Sequence, residues 1–410
     1  LVVSEAFGLY YARLPLRKSA KIVNDNALKV GWSSVVSSNE LSFIIGNPPF
    51  YGYSFQKKSQ KEDMNYVFKG LPGHGVLDYV SAWYYLAAKY IKNTTIEVAF
   101  VSTNSISQGE QVSILWGEII GNLNCNIIFA HRTFNWTNEA RSNAAVHVVI
   151  IGFSQLSRNR KEIYTYESIN SDPVKVNAKT INPYLVDAPT SFINKRSNPL
   201  CAVPKMTKGS SPTDGGFLLL SEDEKLAIEA VEPVAAKFIR RYVGSKEFIN
   251  DIPRYCLWLK DANPEELKKC PSIVERLKKV REMRLASSKA ATQKWADFPG
   301  LFIEERQPKS NYVLVPRVSS ERRKYIPIGY LDKEVIVSDS AITLPNVDKY
   351  VFGVLTSIMH MVWVNYTCGR LKSDYRYSNT IVYNNYPWPR NTSEKNKKAL
   401  EVKAQKVLDV

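Results

Sequence analysis

IIGNPPFYG, residues 44–52, carries an apolar run through a glycine into an asparagine, two prolines and an aromatic residue. The ring of a proline drives the preceding residue out of the α region, and proline itself has no N–H to donate. Asn47 and Pro48 are therefore held extended, and the strand predicted over LSFIIG (41–46) cannot run on into a helix. What remains is a stiff strand end. There the Asn47 side-chain oxygen and the Pro48 carbonyl are unclaimed by a ladder, beside the ring of Phe50. Asn-Pro and Pro-Pro also punctuate ordinary loops, so a plain turn is the competing reading.

Around this stretch, short β-rich runs alternate with helical ones. AKIVNDNALKV (20–30) reads as a strand ending at Asp25 and Asn26, and IEVAFVST (96–103), NIIFAH (126–131) and AAVHVVIIGF (144–153) read as further strands. LDYVSAWYYLAAKYIK (77–92) and QVSILWGEIIGNL (111–123) have helical apolar spacing. The alternation predicts an α/β layer architecture with a mostly parallel sheet. Ligands of such sheets bind beyond the carboxyl ends of the strands, where Asp25, Asn26, Asn47, Thr103 and Asn104 fall.

Beyond Phe153 the texture changes to Pro-, Asn- and Ser-rich loops with short strands. LSEDEKLAIEAV (220–231) opens with a Ser-x-x-Glu cap signature, and residues 268–298 predict one long basic helix. YVFGVLTSIMHMVWVNYTC (350–368) and the tail 392–410 read as helices. The expected division is 1–160, 161–345 and 346–410.

The 410 residues carry a formal net charge of +16. Residues 1–153 hold 13 basic and 10 acidic side chains, a balance of +3, which leaves +13 for residues 154–410. Such asymmetry points to a polyanion partner for the second part, because Lys and Arg that neutralise phosphates release counterions. Five scattered cysteines without a CxxC spacing, and four histidines without HExxH, predict neither a disulfide framework nor metal catalysis. No apolar run reaches the roughly 18 residues of a membrane span. Leu1 opens as though in mid-element, which predicts a fragment of a longer chain.

An acceptor pair beside an aromatic face suits a planar exocyclic amine such as that of adenine. That nitrogen is a poor nucleophile while its lone pair is delocalised into the ring. If both N–H groups donate to fixed acceptors, here Asn47 and Pro48, the nitrogen turns toward tetrahedral geometry and can attack a methyl donor held in line. Phe50 would stack on the base, and a duplex base would have to be extruded to arrive.

Longer stretches carry a resemblance. GNPPFYG (46–52), GVLDYVSAWYYLAAKYI (75–91), VAFVSTNSISQGEQVSILW (98–116) and FAHRTFNWTNEARSNAAVHVVIIGF (129–153) resemble the MmeI-like (type IIL) group of restriction-modification DNA adenine methyltransferases. So do VGSKEFI (243–249), RYCLWLKDANPEELK (254–268), VPRVSSERRKYIPIGYL (315–331) and GRLKSDYRYSNTIVYNNYPWP (369–389). The resemblance implies a partial Rossmann-like, S-adenosylmethionine-dependent methyltransferase core, then an α+β target recognition domain and a small helical carboxyl-terminal region. It implies double-stranded DNA as partner, a bacterial cytoplasmic setting, no membrane, and a nuclease domain in an upstream part of the same polypeptide.

Residue by residue, the resemblance implies that Asn47, Pro48, Pro49 and Phe50 form the catalytic loop and that Asp25 and Asn26 lie near the cofactor adenine. Phe134 or Trp136 is the second face of the base sandwich. Ser319, Ser320, Glu321, Arg322, Arg323 and Lys324 have the residue types that read base edges and grip phosphates. Arg370, Lys372 and Arg376 lie along DNA or pack the domain junction. One departure stands out: upstream of Asn47 only Gly8, Gly31 and Gly46 occur, with no Gly-x-Gly cofactor loop, so this stretch alone is expected to bind cofactor poorly. Two alternatives stay open, a DNA-recognition module without catalysis and a methyltransferase acting on a protein glutamine or on RNA.

Overall fold

Residues 20–136, 146–168, 170–371 and 373–410 are described in the computed structural model. The first unit comprises strand β1 (Phe43–Gly46), helices α1 (Lys58–Val67) and α2 (Ser81–Tyr90), strand β2 (Glu97–Thr103) and helix α3 (Glu110–Trp116). Strands β3 (Asn126–Trp136), β4 (Val146–Ser154), β5 (Lys161–Thr165) and β6 (Val174–Ala178) complete it. One six-stranded sheet results, in the order β1-β2-β4-β3-β5-β6. β1 is parallel to β2 and β3 to β5, but β4 runs antiparallel to both β2 and β3, and β6 to β5. The α/β class holds, while the sheet is mixed rather than mostly parallel. A parallel return needs a crossover of about a dozen residues or more, usually a helix, and only residues 137–145 separate β3 from β4.

The core of this unit is aromatic. Tyr84 on α2 stacks on Phe153 with centroids 5.7 Å apart and meets Trp116 edge-on at 5.8 Å. Its buried hydroxyl donates to the Phe100 carbonyl at 3.0 Å, which removes the cost of an unpaired polar atom. The strand expected over residues 20–25 does not form. A strand needs a neighbour for its backbone groups, and β1 ends the sheet among the described residues, leaving Ile22 86% and Ile45 80% exposed. Instead, Asn26 closes a turn, its side-chain oxygen accepting the Leu28 N–H at 2.9 Å.

The second part begins with strands β7 (Thr207–Lys208) and β8 (Leu219–Leu220), helix α4 (Glu222–Val231), strands β9 (Ile239–Val243) and β10 (Tyr255–Leu257), and helix α5 (Pro271–Leu285). It continues with β11 (Tyr312–Pro316), β12 (Val318–Ser319), β13 (Gly329–Leu331), β14 (Ile336–Val337) and β15 (Ala341–Pro345). Helices α6 (Lys349–Leu355) and α7 (Ile358–Thr367), strands β16 (Gly369–Leu371) and β17 (Asp374–Arg376), and helix α8 (Glu394–Leu408) follow. Three sheets form, β14-β9-β10-β8, β13-β11-β15-β7 and β12-β17-β16. The cap predicted before α4 is present, with Ser221 and Glu224 satisfying each other's backbone N–H.

The long helix expected over 268–298 stops at Leu285. Ser287 turns the chain with its hydroxyl oxygen accepting the Lys289 N–H. Arg284, fully buried, then gathers the returning loops. Its Nε donates to the Thr213 carbonyl (3.1 Å), Nη1 to those of Trp295 and Phe298 (3.0 and 2.9 Å), and Nη2 to those of Pro212 and Leu301 (both 2.8 Å). All five N–H groups of the guanidinium are used.

Helices α6–α8 pack on the β11–β15 sheet, with Val313, Ile342, Phe352, Val364 and Ala404 in one continuous core. Gly353 lets α6 and α8 approach closely, since a Cβ there would lie 3.0 Å from Leu400 Cγ. No helix among the described residues is long and apolar enough to cross a membrane.

Candidate active site and nucleic-acid interface

β1 ends at Gly46, and the next four residues leave the sheet. Asn47 and Pro49 are exposed, Pro48 is buried, and Phe50 is half-buried against the core of the first unit. Among the described residues nothing claims the Asn47 side chain or the Pro48 carbonyl. Both residues line a cavity of about 620 Å³, together with Asp25 and the apolar side chains of Val23, Trp83 and Phe100. Small-molecule sites occupy roughly 300–1,000 Å³, with mostly apolar walls and a few convergent polar groups.

The turn that carries Asp25 is tied to the helices beneath it. Asn26 donates to Asp63 Oδ1 at 3.2 Å, Lys29 reaches the same oxygen at 2.9 Å, and the Tyr79 hydroxyl donates to Oδ2 at 2.7 Å. Burial alone would raise the Asp63 carboxyl, but the bonds from Lys29, Tyr79 and Asn26 outweigh it and hold it below the usual carboxylate range. Asn26 is thus an anchor of the turn, while Asp25 faces the cavity.

The loop after Phe50 is held by a carboxylate that sequence reasoning did not single out. Buried Asp78 accepts the Tyr53 N–H on Oδ1 at 3.0 Å and the Ser105 hydroxyl on Oδ2, and its own N–H donates to Gln111 at 2.9 Å. The Tyr79 N–H donates to the Tyr51 carbonyl at 2.8 Å. Residues 51–53 are therefore pinned to the ends of β2 and α3. The available signal was a lone carboxylate opening the apolar stretch LDYVSAWYYL.

Phe134 and Trp136 sit at the far end of β3, past a register shift between His131 and Phe134. Phe134 stacks on Tyr166 with centroids 5.0 Å apart, and Trp136 lies 6.3 Å from Phe134. His131 stacks on Tyr164 at 4.2 Å and shares a hydrogen bond with the Tyr166 hydroxyl at 2.8 Å. Burial lowers the affinity of its ring for a proton. Tyr164 and Tyr166 carry no local motif, because the pairing of β5 with β3, not sequence proximity, brings Tyr164 on β5 and Tyr166 just past its end to these rings.

The two stretches read as DNA-facing are brought onto one small sheet. In β12, Val318 lies opposite Arg376 and Ser319 opposite Tyr375, and β17 pairs in turn with β16. Arg322, Arg323, Lys324 and Arg376 are exposed, and Ser320 and Glu321 are half-buried. Ser319 is buried, its hydroxyl without a partner among the described residues. Arg370 is folded inward: its guanidinium lies 3.9 Å over the Tyr375 ring and donates to the Ser373 carbonyl (3.0 Å) and to Asn365 (2.9 Å). Its Nη1 is 4.0 Å from Glu321. Lys372 lies outside the described residues.

Residues 2–165 match the MmeI DNA-methyltransferase domain, and residues 187–390 match the MmeI target recognition domain. DNA methyltransferase A of Bacillus subtilis (strain 168) is 38% identical over 400 residues, which are 97% of this chain and 45% of that protein. The Type IIL restriction-modification enzyme MmeI, solved in complex with DNA, is 46% identical with a TM-score of 0.90, covering 100% of this chain and 54% of that one. The chain thus spans about half the length of the relatives it matches. With both domain types in the same order and the fold superimposing throughout, the chain belongs to the MmeI family of restriction-modification methyltransferases.

Proposed function

We propose that the complete protein carrying this chain is a sequence-specific DNA N6-adenine methyltransferase of a restriction-modification system, using S-adenosylmethionine on an extruded adenine. The observation that carries the reading is the unengaged Asn47 side chain and Pro48 carbonyl at the rim of an apolar cavity, at the end of a sheet strand. The two acceptors fix both N–H groups of the adenine amine, and a neutral amide does so without taking a proton from it. Phe50 supports one face of the base, and Phe134 or Trp136 covers the other. S-adenosylmethionine, when bound, supplies an electrophilic methyl on a sulfonium. The cavity fits its nucleoside part: Asp25 offers carboxylate oxygens to hydroxyl or amine donors, and Val23 and Phe100 offer apolar walls. Asn26 holds the turn that presents Asp25.

On the recognition side, Arg322, Arg323, Lys324 and Arg376 contact the duplex, with Ser320 and Glu321 nearest the base edges. Arg370 and Ser319 shape that surface from beneath. The division at 1–160, 161–345 and 346–410, and the bacterial cytoplasm as the place of action, belong to the same proposal.

The test is to express the complete protein in a host lacking adenine methylation and to sequence the host DNA with a modification-sensitive method. Methyladenine at one defined site, lost in Asn47→Ala with duplex affinity within a few fold, is expected. No methyladenine from a folded, cofactor-binding wild type would overturn the proposal.

A further inference from the structure

A second concavity, about 350 Å³, opens where the first unit meets the β12-β17-β16 sheet. Tyr53, Ser105 and Glu110 face it from one side, and Lys195, Arg317 and Arg376 from the other. The two sides are in backbone contact. Gly109 has φ +63°, and a Cβ on it would lie 3.1 Å from the Gly369 Cα, so only a glycine allows this approach.

The charge here is one-sided. Four cations line the pocket, the three named and Arg370, against one carboxylate, a balance of +3. Glu110 is already paired with Lys195 at 3.3 Å, and nearby Asp339 with Lys208 at 3.3 Å. Arg317 and Arg376 are held side by side, because the Tyr377 N–H donates to the Arg317 carbonyl at 2.8 Å and Arg376 lies opposite Val318. Arg317 spends one donor on the Asp339 carbonyl at 3.1 Å. The Arg376 guanidinium has no hydrogen bond or ion pair among the described residues. Burial first, and then the neighbouring Arg376 charge, loosen the proton on Arg317, while Asp339 opposes the change.

We propose that this junction seats one phosphodiester of the DNA backbone, gripped by Arg376 and Arg317 against the wall formed by Tyr53 and Ser105. Guanidinium forks match the geometry of phosphate oxygens, and a bound anion relieves the repulsion between the two arginines. The wall belongs to the Asp78 network that pins the loop beyond Phe50. A phosphate seated here therefore bears on the catalytic loop itself and sets the backbone beside the extruded nucleotide. The inference rests on the DNA reading above and adds to it a contact made jointly by both units.

The experiment uses the complete protein and a duplex containing its modification site, with single phosphates replaced in turn by neutral methylphosphonates. In the wild type, one position close to the target adenine is expected to weaken binding about tenfold, the scale of one charged hydrogen bond. In Arg376→Gln that position falls silent, and the slope of log K against log salt drops by about 0.9. Arg376→Lys should keep the slope and lose part of the affinity. If the wild type binds duplex but Arg376→Gln keeps both the methylphosphonate profile and the slope, the seat is overturned while the DNA reading stands. A folded wild type that holds no duplex overturns both. Inorganic phosphate binding that depends on Arg376, with no sensitive position in the duplex, assigns the pocket to free phosphate and likewise overturns the seat.

Discussion

Arg284→Ala tests whether the recognition part is organised around one buried guanidinium. Five backbone carbonyls, from Pro212, Thr213, Trp295, Phe298 and Leu301, converge on its five N–H groups at 2.8–3.1 Å, and the side chain is fully buried. Hydrogen bonds to a charged group contribute about 1.5–3 kcal/mol each, so the gross loss is roughly 8–15 kcal/mol. Two effects oppose it. The variant no longer desolvates a cation, which is worth several kcal/mol, and water entering the space satisfies some of the carbonyls. A net loss of about 4–6 kcal/mol follows, comparable to the whole stability of a modest domain. Arg284→Lys keeps three donors and orphans two carbonyls, for about 2–4 kcal/mol. In urea, with a slope near 2 kcal/mol per molar, the midpoint should fall by about 2–3 M for Ala and 1–2 M for Lys. Intrinsic fluorescence reports the transition, because Trp295 contributes one of the carbonyls. Hydrogen exchange in β1–β4 should change little, since none of the five carbonyls belongs to that sheet. A midpoint shift below about 0.5 M for Arg284→Ala would show that the five bonds do not set stability, and the reasoning would be wrong.

Asp78→Asn leaves one acceptor where Tyr53 and Ser105 need two, and should slow single-turnover methylation about 10- to 100-fold, or ~1.4–2.7 kcal/mol, with duplex affinity within about threefold. An unchanged rate would remove the network from positioning the loop. Of Phe134→Ala and Trp136→Ala, the one that removes the stacking partner should lose about 1–3 kcal/mol of hold on the extruded base. It should also raise the fluorescence of 2-aminopurine placed at the target; equal, small effects from both would exclude a sandwich at this end of β3. Burial pushes His360 down to about 3 from 6.5. Above 6.5 both folded and unfolded states are neutral, and below it the unfolded chain takes a proton that the folded chain refuses. Stability therefore falls as pH drops from 6.5 toward 3, by about 1.4 kcal/mol per pH unit. The stability difference between wild type and His360→Gln should shrink by about 2 kcal/mol between pH 7 and pH 5, and a constant difference would mean that the fold takes the His360 proton as readily as the unfolded chain does. Substituting Glu321 or Arg323 should change which sequence is methylated more than how tightly unrelated duplex is held, and unchanged specificity would take them out of base readout.

What the sequence made legible, and what it did not, divides along the range of the interactions involved. The stop after Gly46 follows from Asn47, Pro48 and Pro49 alone, because proline acts on its own and the preceding residue. The cap at Ser221 spans four residues and was equally readable. The strand expected over 20–25 failed although its residues suit a strand, because the backbone partner it needs is set by tertiary pairing, which periodicity does not report. The same holds for the direction of β4, fixed by the shortness of the connection before it. Residues 319–324 and 370–376 stand in the sequence as two separate cationic stretches, and only the pairing of β12 with β17 turns them into one surface. That pairing also explains why residue type misjudged accessibility there. Alternate positions on a strand point to opposite faces, so Ser319 and the Tyr375 opposite it are buried while Arg376, the next residue on β17, is exposed. Arg370, the same residue type as Arg376 and on the same hairpin, spends its guanidinium on Tyr375, Asn365 and Ser373. Charge counted along the chain therefore singles out a basic region but not which of its cations are free to meet a partner. Of these two arginines, the geometry leaves Arg376 free to bind and makes Arg370 part of the support.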